Sequence, residues 1–292
     1  MEYDIIVIGS GPAGITASIY AKRANMNVLV ISKGKGTLQK AKKLENYYGF
    51  VEPISGEELE TRGIEQAKRL GIEIKQDEVL NISYNENFEI ETVNSKYIAK
   101  KVIMATGNSR KKPNIKGIAE FEGKGISYCA VCDGFFFRNK NVAVLGSREY
   151  AMHEAEELTS VTKNVTILTN GEKIVENRSN DLPVNEKEIR ELRGGKKLEE
   201  VEFTDNSTQK IDGLFVAIGT ASSSDLAKKL GVLLDKNENI IIDRNMQTNI
   251  KGLFACGDCT GGPFQISKGV YEGMSAALSA IKQLKEEKIK TN

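Results

Sequence analysis

The sequence predicts an α/β protein made of two doubly wound domains, and three observations support this fold class. An apolar, strand-like run from Tyr3 to Ile8 leads into a glycine-rich loop and an alanine-rich helix. This order of elements typically begins a parallel sheet. The same strand–turn–helix order returns at Asn141 to Thr159. The length of 292 residues suits two domains of ordinary size better than one.

The remaining elements follow from the same signals along the chain. A second strand at Asn27 to Ile31 completes the first βαβ unit. Asn108 to Gly117 is basic and contains a proline, which is typical of a linker. The later predicted elements are strands at Lys101 to Ala105, Val165 to Leu168, Leu214 to Ile218 and Ile240 to Ile242, and a helix from Phe264 to Leu284.

The order of these elements predicts how the domains are arranged. The second βαβ unit lies between an incomplete first domain and a C-terminal segment that can complete the sheet of that domain. We therefore expect a discontinuous first domain over residues 1–112 and 243–292, and a second domain inserted into it over residues 113–242.

The composition excludes several classes of protein. Lys and Arg number 41 against 40 Asp and Glu, a formal charge of +1, so no overall field draws the chain to nucleic acid or to a membrane surface. The apolar runs are far shorter than the roughly 20 residues of a membrane helix. Glu2 and Asp4 stand where a signal peptide carries positive charge. We expect a soluble, cytoplasmic protein.

The loop Gly9-Ser10-Gly11-Pro12-Ala13-Gly14 joins the first strand to the first helix. Glycines at this spacing let backbone N–H groups approach a pyrophosphate at the start of a helix. In this context the loop predicts a Rossmann-like, dinucleotide-binding domain. The second strand ends at Ser32 instead of the acid that holds the ribose in NAD sites, which favours FAD over NAD.

A segment near the C-terminus supplies a second part of such a site. Gly252 to Asp258 precedes the last predicted helix. In flavoproteins with two dinucleotide-type domains, an Asp at this place holds the ribityl or phosphate region, and the start of the next helix faces the isoalloxazine ring. We therefore expect Gly257 and Asp258 to contact FAD, together with Phe264, Gln265 and Ile266.

Cys129 and Cys132 form a C-x-x-C pair that is followed directly by Asp133. Such spacing indicates redox chemistry, metal binding or coincidence. A thiolate at the first position gains from a helix N-terminus, and Asp133 either carries the proton of thiol–disulfide exchange or caps the turn. The next residues, Phe135 to Phe137, either lie in the core or shield a flavin, and we expect them to lie in the core.

Cys256 and Cys259 form a second C-x-x-C pair, and we expect them to be small buried packing residues. The two pairs are more than a hundred residues apart, unlike the ligand pairs of a four-cysteine zinc site. No metal site is predicted.

These motifs resemble those of the low-molecular-weight thioredoxin reductase family in order and spacing, over nearly the whole chain. The matching segments are the glycine loop, Ala105-Thr106-Gly107, Cys129 to Gly134, and Gly257-Asp258. The resemblance implies the FAD/NAD(P)-linked disulfide reductase fold, with FAD in the outer domain and Thr106 and Gly107 among its contacts. It also implies that Cys132 faces the flavin, that Cys129 attacks thioredoxin, and that the protein is a homodimer.

The chain departs from this family in the inserted domain. Where the family reads G-x-G-x-x-A for NADPH, Arg148 replaces the second glycine of Gly146 to Ala151. Where the family carries a His-Arg-Arg group for the 2′-phosphate, this chain has Thr169-Asn170-Gly171. Glu172 to Pro183 also lacks a helical period. The losses resemble those of the ferredoxin-dependent flavin thioredoxin reductases, which lack an NADPH site.

The resulting prediction is a ferredoxin–thioredoxin reductase of flavin type. Ferredoxins near about −400 mV can reduce thioredoxin near about −270 mV, a two-electron fall of about 6 kcal/mol. The alternatives that stay open are a thioredoxin reductase that uses NAD(P)H in an altered mode or an unknown donor, and a flavin-dependent disulfide oxidoreductase with another protein target.

An acidic ferredoxin is expected to dock on a basic patch, even on a chain with a formal charge of only +1. Two clusters qualify by sequence. They are Lys33, Lys35, Lys40, Lys42 and Lys43 after the second strand, and Arg110, Lys111 and Lys112 at the linker.

Overall fold

The computed structural model describes residues 2–34, 36–107, 113–174, 182–219 and 221–291. Its strands are β1 (Glu2–Ile8), β2 (Val28–Ser32), β3 (Glu73–Gln76), β4 (Val79–Asn85), β5 (Asn87–Thr92), β6 (Lys96–Met104), β7 (Ile126–Ser127), β8 (Val142–Leu145), β9 (Val165–Leu168), β10 (Val184–Asn185), β11 (Ile189–Gly194), β12 (Leu198–Phe203), β13 (Thr208–Lys210), β14 (Gly213–Val216) and β15 (Leu253–Ala255). Its α-helices are α1 (Pro12–Arg23), α2 (Gly56–Arg69), α3 (Ile118–Phe121), α4 (Ala130–Asp133), α5 (Glu149–Thr159), α6 (Ser223–Lys229) and α7 (Ile266–Thr291).

The chain divides into two compact units, Met1–Ser109 with Ser222–Asn292, and Arg110–Ala221. The second boundary lies earlier than the expected one at residues 242/243, because α6 is bonded to the first unit. Ser223 Oγ donates to the Gly107 carbonyl at 2.8 Å, and Lys229 Nζ donates to the Leu80 carbonyl at 3.4 Å. The expected linker residues 108–112 lie outside the described residues.

The first unit is built on a seven-stranded sheet in the order β3-β2-β1-β6-β5-β4, with β15 also paired to β6. β1 runs parallel to β2 and to β6. The early part of β6 pairs antiparallel with β5, and its late part pairs parallel with β15. The carboxyl ends of β2, β1, β6 and β15 therefore meet at one edge of the sheet, where ligands bind in open α/β sheets.

Helices α1 and α7 pack together against this sheet over a shared apolar core. Their close approach depends on Gly273, because a Cβ at this position would lie 2.1 Å from the Ala13 carbonyl oxygen. The contact holds the first turn of α1 against α7. As a result, the glycine loop and the C-terminal segment come together across the edge of the sheet.

The second unit has a five-stranded sheet in the order β10-β9-β8-β14-β7, and its strand pairs are parallel. A separate antiparallel sheet, β11-β12-β13, packs with it around a second apolar core. Helix α5 follows β8 directly and contacts β8, β9 and α4. The predicted α/β class with two Rossmann-like domains is confirmed.

Two details of the described residues concern the sequence-based expectations. The predicted strand at Ile240 to Ile242 is wrong, because this segment makes only one isolated bridge, between Leu234 and Ile240. No helix within the described ranges is long and apolar enough to span a bilayer.

Candidate functional site

The glycine loop after β1 is shaped by backbone contacts that exclude side chains. Gly9 has a φ of +112°, and a Cβ on it would lie 2.2 Å from the Ala105 carbonyl oxygen. A Cβ on Gly14 would lie 1.9 Å from the Gly9 carbonyl oxygen. Only glycine satisfies either position. The loop thereby packs against the residues that follow β6, and Gly9 lies beside Thr106.

Gly11 faces open space, in contrast to the other two glycines of the loop. A Cβ built on it meets nothing within 4 Å. Gly11 is the N-cap of α1, and Pro12 occupies the first turn, where the missing N–H costs nothing. The first-turn amides of α1 lack intrahelical partners. The loop is therefore an open backbone cradle of the kind that receives a pyrophosphate.

The segment after β15 closes on the same place. Gly257 has a φ of +81°, and a Cβ on it would lie 3.0 Å from the Ala13 Cβ. The Glu272 carboxylate accepts from the Gly257 amide at 2.8 Å, from Thr260 Oγ1 at 2.9 Å and from Lys268 Nζ at 2.9 Å. Lys268 Nζ also donates to the Gly257 carbonyl at 2.9 Å. This network holds the turn that carries Asp258.

Asp258 is half-buried in that turn. Burial raises the pKa of its carboxyl, while Lys268 opposes the rise and Glu272 adds to it. A group in such a place is suited to accept a hydrogen bond from a ligand hydroxyl. Asp258 follows Gly257, which packs against Ala13 of the glycine loop, and its contact with FAD stays a prediction.

The other predicted contact residues of this unit lie at the same edge or at the start of α7. Thr106 and Gly107 follow β6, and the Thr106 and Ser223 hydroxyls are hydrogen-bonded. Phe264 and Gln265 are exposed just before α7. The Gln265 amide oxygen accepts from Asn46 Nδ2 at 3.1 Å. Ile266 begins α7.

Cys256 and Cys259 are both buried, in line with the expected packing role. Burial raises the pKa of Cys259 to about 12 and that of Cys256 well above its ordinary value. These thiols are uncharged at neutral pH. A neutral thiol is a poor nucleophile, so burial disfavours redox chemistry at the second C-x-x-C pair.

In the second unit, Cys129 and Cys132 form a disulfide. Cys129 caps the single turn of α4, and its Sγ accepts from the Cys132 amide at 3.1 Å. Cys129 is buried with 2% exposure, whereas Cys132 is exposed. In the oxidised pair the sulfur that is open to attack from outside is therefore that of Cys132.

Asp133 is tied to the pair through Ser127. The Ser127 hydroxyl donates to Asp133 Oδ2 at 2.6 Å and accepts from the Cys129 amide at 3.1 Å. Ser127 carries no sequence signal, because its role depends on the turn of the chain at Cys129. The contact fixes the carboxylate next to the disulfide.

The expectation that Phe135 to Phe137 lie in the core is wrong for two of them. Phe135 and Phe136 are 66% and 68% exposed, because they lie on a surface 3-10 turn after α4. Phe137 packs edge-on against Phe215, with ring centroids 5.2 Å apart. Val131 is also exposed. An apolar surface therefore adjoins the exposed sulfur.

The second nucleotide-type loop keeps the backbone frame of such a loop but differs in its side chains. Gly146 is required, because a Cβ on it would lie 2.3 Å from the Ala217 carbonyl oxygen. Arg148, at the place of the second glycine, is exposed at the N-cap of α5. The Ser147 hydroxyl donates to the Glu172 carboxylate. A carboxylate from the segment after β9 is therefore bonded to the loop that follows β8.

The segment after β9, residues 169–171, forms a turn held by hydrogen bonds. Asn170 has a φ of +53°, and its side-chain oxygen accepts from the Ile189 amide at 2.7 Å. The Gly171 amide donates to the Glu186 carbonyl at 3.0 Å. The described residues that flank 175–181, residues 170–174 and 182–188, form no helix.

Sequence reasoning also missed Lys268 and Glu272. Their spacing of four residues on one helix was an available signal, since side chains so spaced meet on a helix face. Nothing in the sequence related them to the Gly257 turn, which contacts them only in the folded chain.

Comparison with known proteins assigns a family to this arrangement. The family described as pyridine nucleotide-disulphide oxidoreductase matches residues 3–281. The chain is 36% identical to a thioredoxin reductase from Ureaplasma parvum, over 95% of this chain and 96% of that protein.

Two solved structures are similar over nearly their whole length. The atypical thioredoxin reductase TRi from Desulfovibrio vulgaris Hildenborough is 39% identical, with a TM-score of 0.90 over 97% of this chain and 98% of the other. A ferredoxin-flavin thioredoxin reductase from Clostridium acetobutylicum is 34% identical, with a TM-score of 0.71 over 98% and 99%. The chain therefore belongs to the pyridine nucleotide-disulphide oxidoreductase family and, within it, to the thioredoxin reductases, which are FAD-binding flavoproteins.

Proposed function

We propose that this chain is a thioredoxin reductase that takes electrons from reduced ferredoxin rather than from NADPH, and that it passes them to thioredoxin through the Cys129–Cys132 pair. The observation that carries the proposal is the hydrogen bond between Ser147 and the Glu172 carboxylate in the second nucleotide-type loop. The likeness to a structure named as a ferredoxin-flavin thioredoxin reductase supports the same donor.

The charge of this loop argues against NADPH. A dinucleotide presents a pyrophosphate, and NADPH adds a 2′-phosphate, so its site needs N–H donors and cations. In this loop Arg148 removes the close backbone approach, and Glu172 contributes a like charge. A site for the 2′-phosphate needs cationic side chains after β9. This chain has Thr169-Asn170-Gly171 there, and the Asn170 side chain accepts from the Ile189 amide.

The open space at Gly11 in the first unit supports FAD binding there. The space at Gly11 is open in a loop whose other two glycines are closed by backbone contacts. FAD supplies a store for two electrons that can be filled one at a time. The proposed contacts are Gly9, Gly11, Pro12, Ala13, Gly14, Thr106, Gly107, Gly257, Asp258, Phe264, Gln265 and Ile266.

At the redox pair, reduction breaks the S–S bond and takes up two electrons and the protons of the thiols. The Asp133 carboxylate, held by Ser127, is proposed to exchange a proton with the pair. We propose that Cys129 attacks thioredoxin and that Cys132 resolves the mixed disulfide. The burial of Cys129 in the oxidised pair runs against this order, so paired variants are needed to decide it.

The ferredoxin is proposed to dock on the lysines that follow β2. Lys40, Lys42 and Lys43 are exposed, and two nearby apolar side chains, Tyr48 and Val51, are almost fully exposed. Part of the positive charge is neutralised within the chain. Lys43 pairs with Glu45 at 2.9 Å and Lys33 pairs with Glu78 at 2.8 Å.

The two expected clusters also include residues that the structure does not describe. Lys35, Arg110, Lys111 and Lys112 lie outside the described residues. The docking patch is therefore defined as Lys40, Lys42 and Lys43.

The first prediction concerns FAD. The purified protein should be yellow with one FAD per chain, and Gly11→Ala should weaken FAD binding by about tenfold or more, because the added methyl fills the cradle. The measurement is a titration of apoprotein with FAD. Gly63→Ala is the matched control, since its Cβ meets Ile15 at an ordinary 3.6 Å. Equal FAD affinity in both variants would remove the loop from the site.

The second prediction assigns the thiols. Cys129→Ser should leave Cys132 as a thiolate beside oxidised flavin, with long-wavelength charge-transfer absorbance. Cys132→Ser should let Cys129 form a stable mixed disulfide with thioredoxin, because no resolving thiol remains. Both variants should lose thioredoxin reduction. If the two signatures exchange places, Cys132 is the exchange thiol, and if neither occurs the pair is not part of the reaction.

The third prediction concerns the docking patch. Reduced ferredoxin should reduce the flavin at a rate that falls steeply with salt, because the Debye length shrinks from about 10 Å at 0.1 M to about 3 Å at 1 M. Reversal of Lys40, Lys42 and Lys43 to Glu should slow this step by about tenfold or more. Stopped-flow flavin absorbance under anaerobic conditions measures it.

The control for the patch changes the same number of charges elsewhere in the first unit. Lys282, Lys285 and Lys288 are exposed on α7, and their reversal should leave the ferredoxin rate nearly unchanged. Cys129 exchange with thioredoxin should be unaffected in both triple variants. If the rate of flavin reduction by ferredoxin changes neither with salt nor in either triple variant, the ferredoxin docks elsewhere.

A further inference from the structure

Glu154 on α5 is a buried carboxylate that contacts the redox turn. It is only 1% exposed, and its Oε2 accepts from the Ala130 amide at 2.9 Å. Ala130 directly follows Cys129. One carboxylate oxygen of Glu154 therefore bonds the amide of the residue that follows Cys129, whereas Ser127 bonds the Cys129 amide itself and Asp133.

The surroundings of Glu154 keep it next to the pair. α5 packs against α4, and Glu154 lies on the buried face of α5. His153 Nδ1 lies 3.6 Å from Glu154 Oε1, and His153 Nε2 lies 4.0 Å from Glu157 Oε1. The chain has one histidine, and it stands beside this carboxylate.

Reduction of the Cys129–Cys132 disulfide can place a negative charge on a sulfur near the Glu154 carboxylate. The disulfide takes two electrons and one proton to become one thiol and one thiolate, and two electrons and two protons to become the dithiol. A carboxylate in a buried setting disfavours a second negative charge nearby.

We propose that Glu154 is a positioning residue that keeps the Cys129–Cys132 pair strongly reducing, by raising the free energy of its reduced form. The inference rests on the proposed role of this pair in thioredoxin reduction. A dithiol that is less stable relative to its disulfide gives its electrons to thioredoxin more completely. The pair in turn requires a donor of low potential, such as a ferredoxin.

The test separates the charge of Glu154 from its hydrogen bond. Glu154→Gln keeps an oxygen that can accept from the Ala130 amide and replaces the carboxylate with a neutral amide. The holoprotein is equilibrated anaerobically with mixtures of reduced and oxidised dithiothreitol at neutral pH. It is then quenched by alkylation, and the peptide that carries both cysteines is quantified by mass spectrometry.

In Glu154→Gln we expect the equilibrium to shift toward the dithiol by about tenfold, which corresponds to a potential about 30 mV less negative. The thermal unfolding midpoint should stay close to that of the wild type, since the bond to Ala130 is kept. Glu157→Gln, on the same helix and partly exposed, is the matched control and should change the equilibrium less than about twofold. Glu154→Met removes both charge and bond, and is expected to shift the equilibrium in the same direction if the Gln variant does not fold.

The outcomes distinguish this inference from the proposed function. An unchanged equilibrium in a folded Glu154 variant, with thioredoxin exchange intact, would overturn the role of Glu154 and leave the function standing. An equal shift in Glu157→Gln would also overturn it, since the effect would then belong to the general charge of α5. A wild-type pair that does not exchange with thioredoxin would overturn both.

Discussion

The fold depends on backbone segments that approach more closely than any side chain allows. In the first unit, a Cβ on Gly14 would lie 1.9 Å from the Gly9 carbonyl oxygen, and one on Gly273 would lie 2.1 Å from that of Ala13. The second unit repeats the constraint at Gly146, against the Ala217 carbonyl at 2.3 Å. Each unit therefore keeps the strand–turn–helix frame of a dinucleotide-binding domain, whatever the remaining residues of its loop are.

The glycine loops of the two units share this backbone frame but differ in their side chains. The first loop leaves open space at Gly11, whereas the second presents Arg148 and a carboxylate bonded to Ser147. Helix α5 also contacts the disulfide turn, because Glu154 on its buried face accepts from the Ala130 amide.

The sequence was sufficient for the α/β class, for most of the parallel strands and for the turn at the glycine loop, because buried strands and glycine turns are local signals, but not for the antiparallel sheet β11 to β13. It was insufficient where a role arises between distant elements, as for Glu154 and Ala130, which lie on different helices. Phe135 and Phe136 were expected in the core because an apolar surface turn and a buried one have the same composition. The wrongly predicted strand at 240–242 has the residues of a strand, but it makes only one isolated bridge.

The central claim is that the second unit supports a disulfide and does not bind a pyridine nucleotide. The most direct measurement is an anaerobic titration of the oxidised holoprotein with NADPH, followed by the visible absorbance of the flavin. We predict no bleaching at stoichiometric NADPH, and full bleaching when reduced ferredoxin is added to the same sample. Bleaching by stoichiometric NADPH at a rate fast enough for turnover would contradict the account.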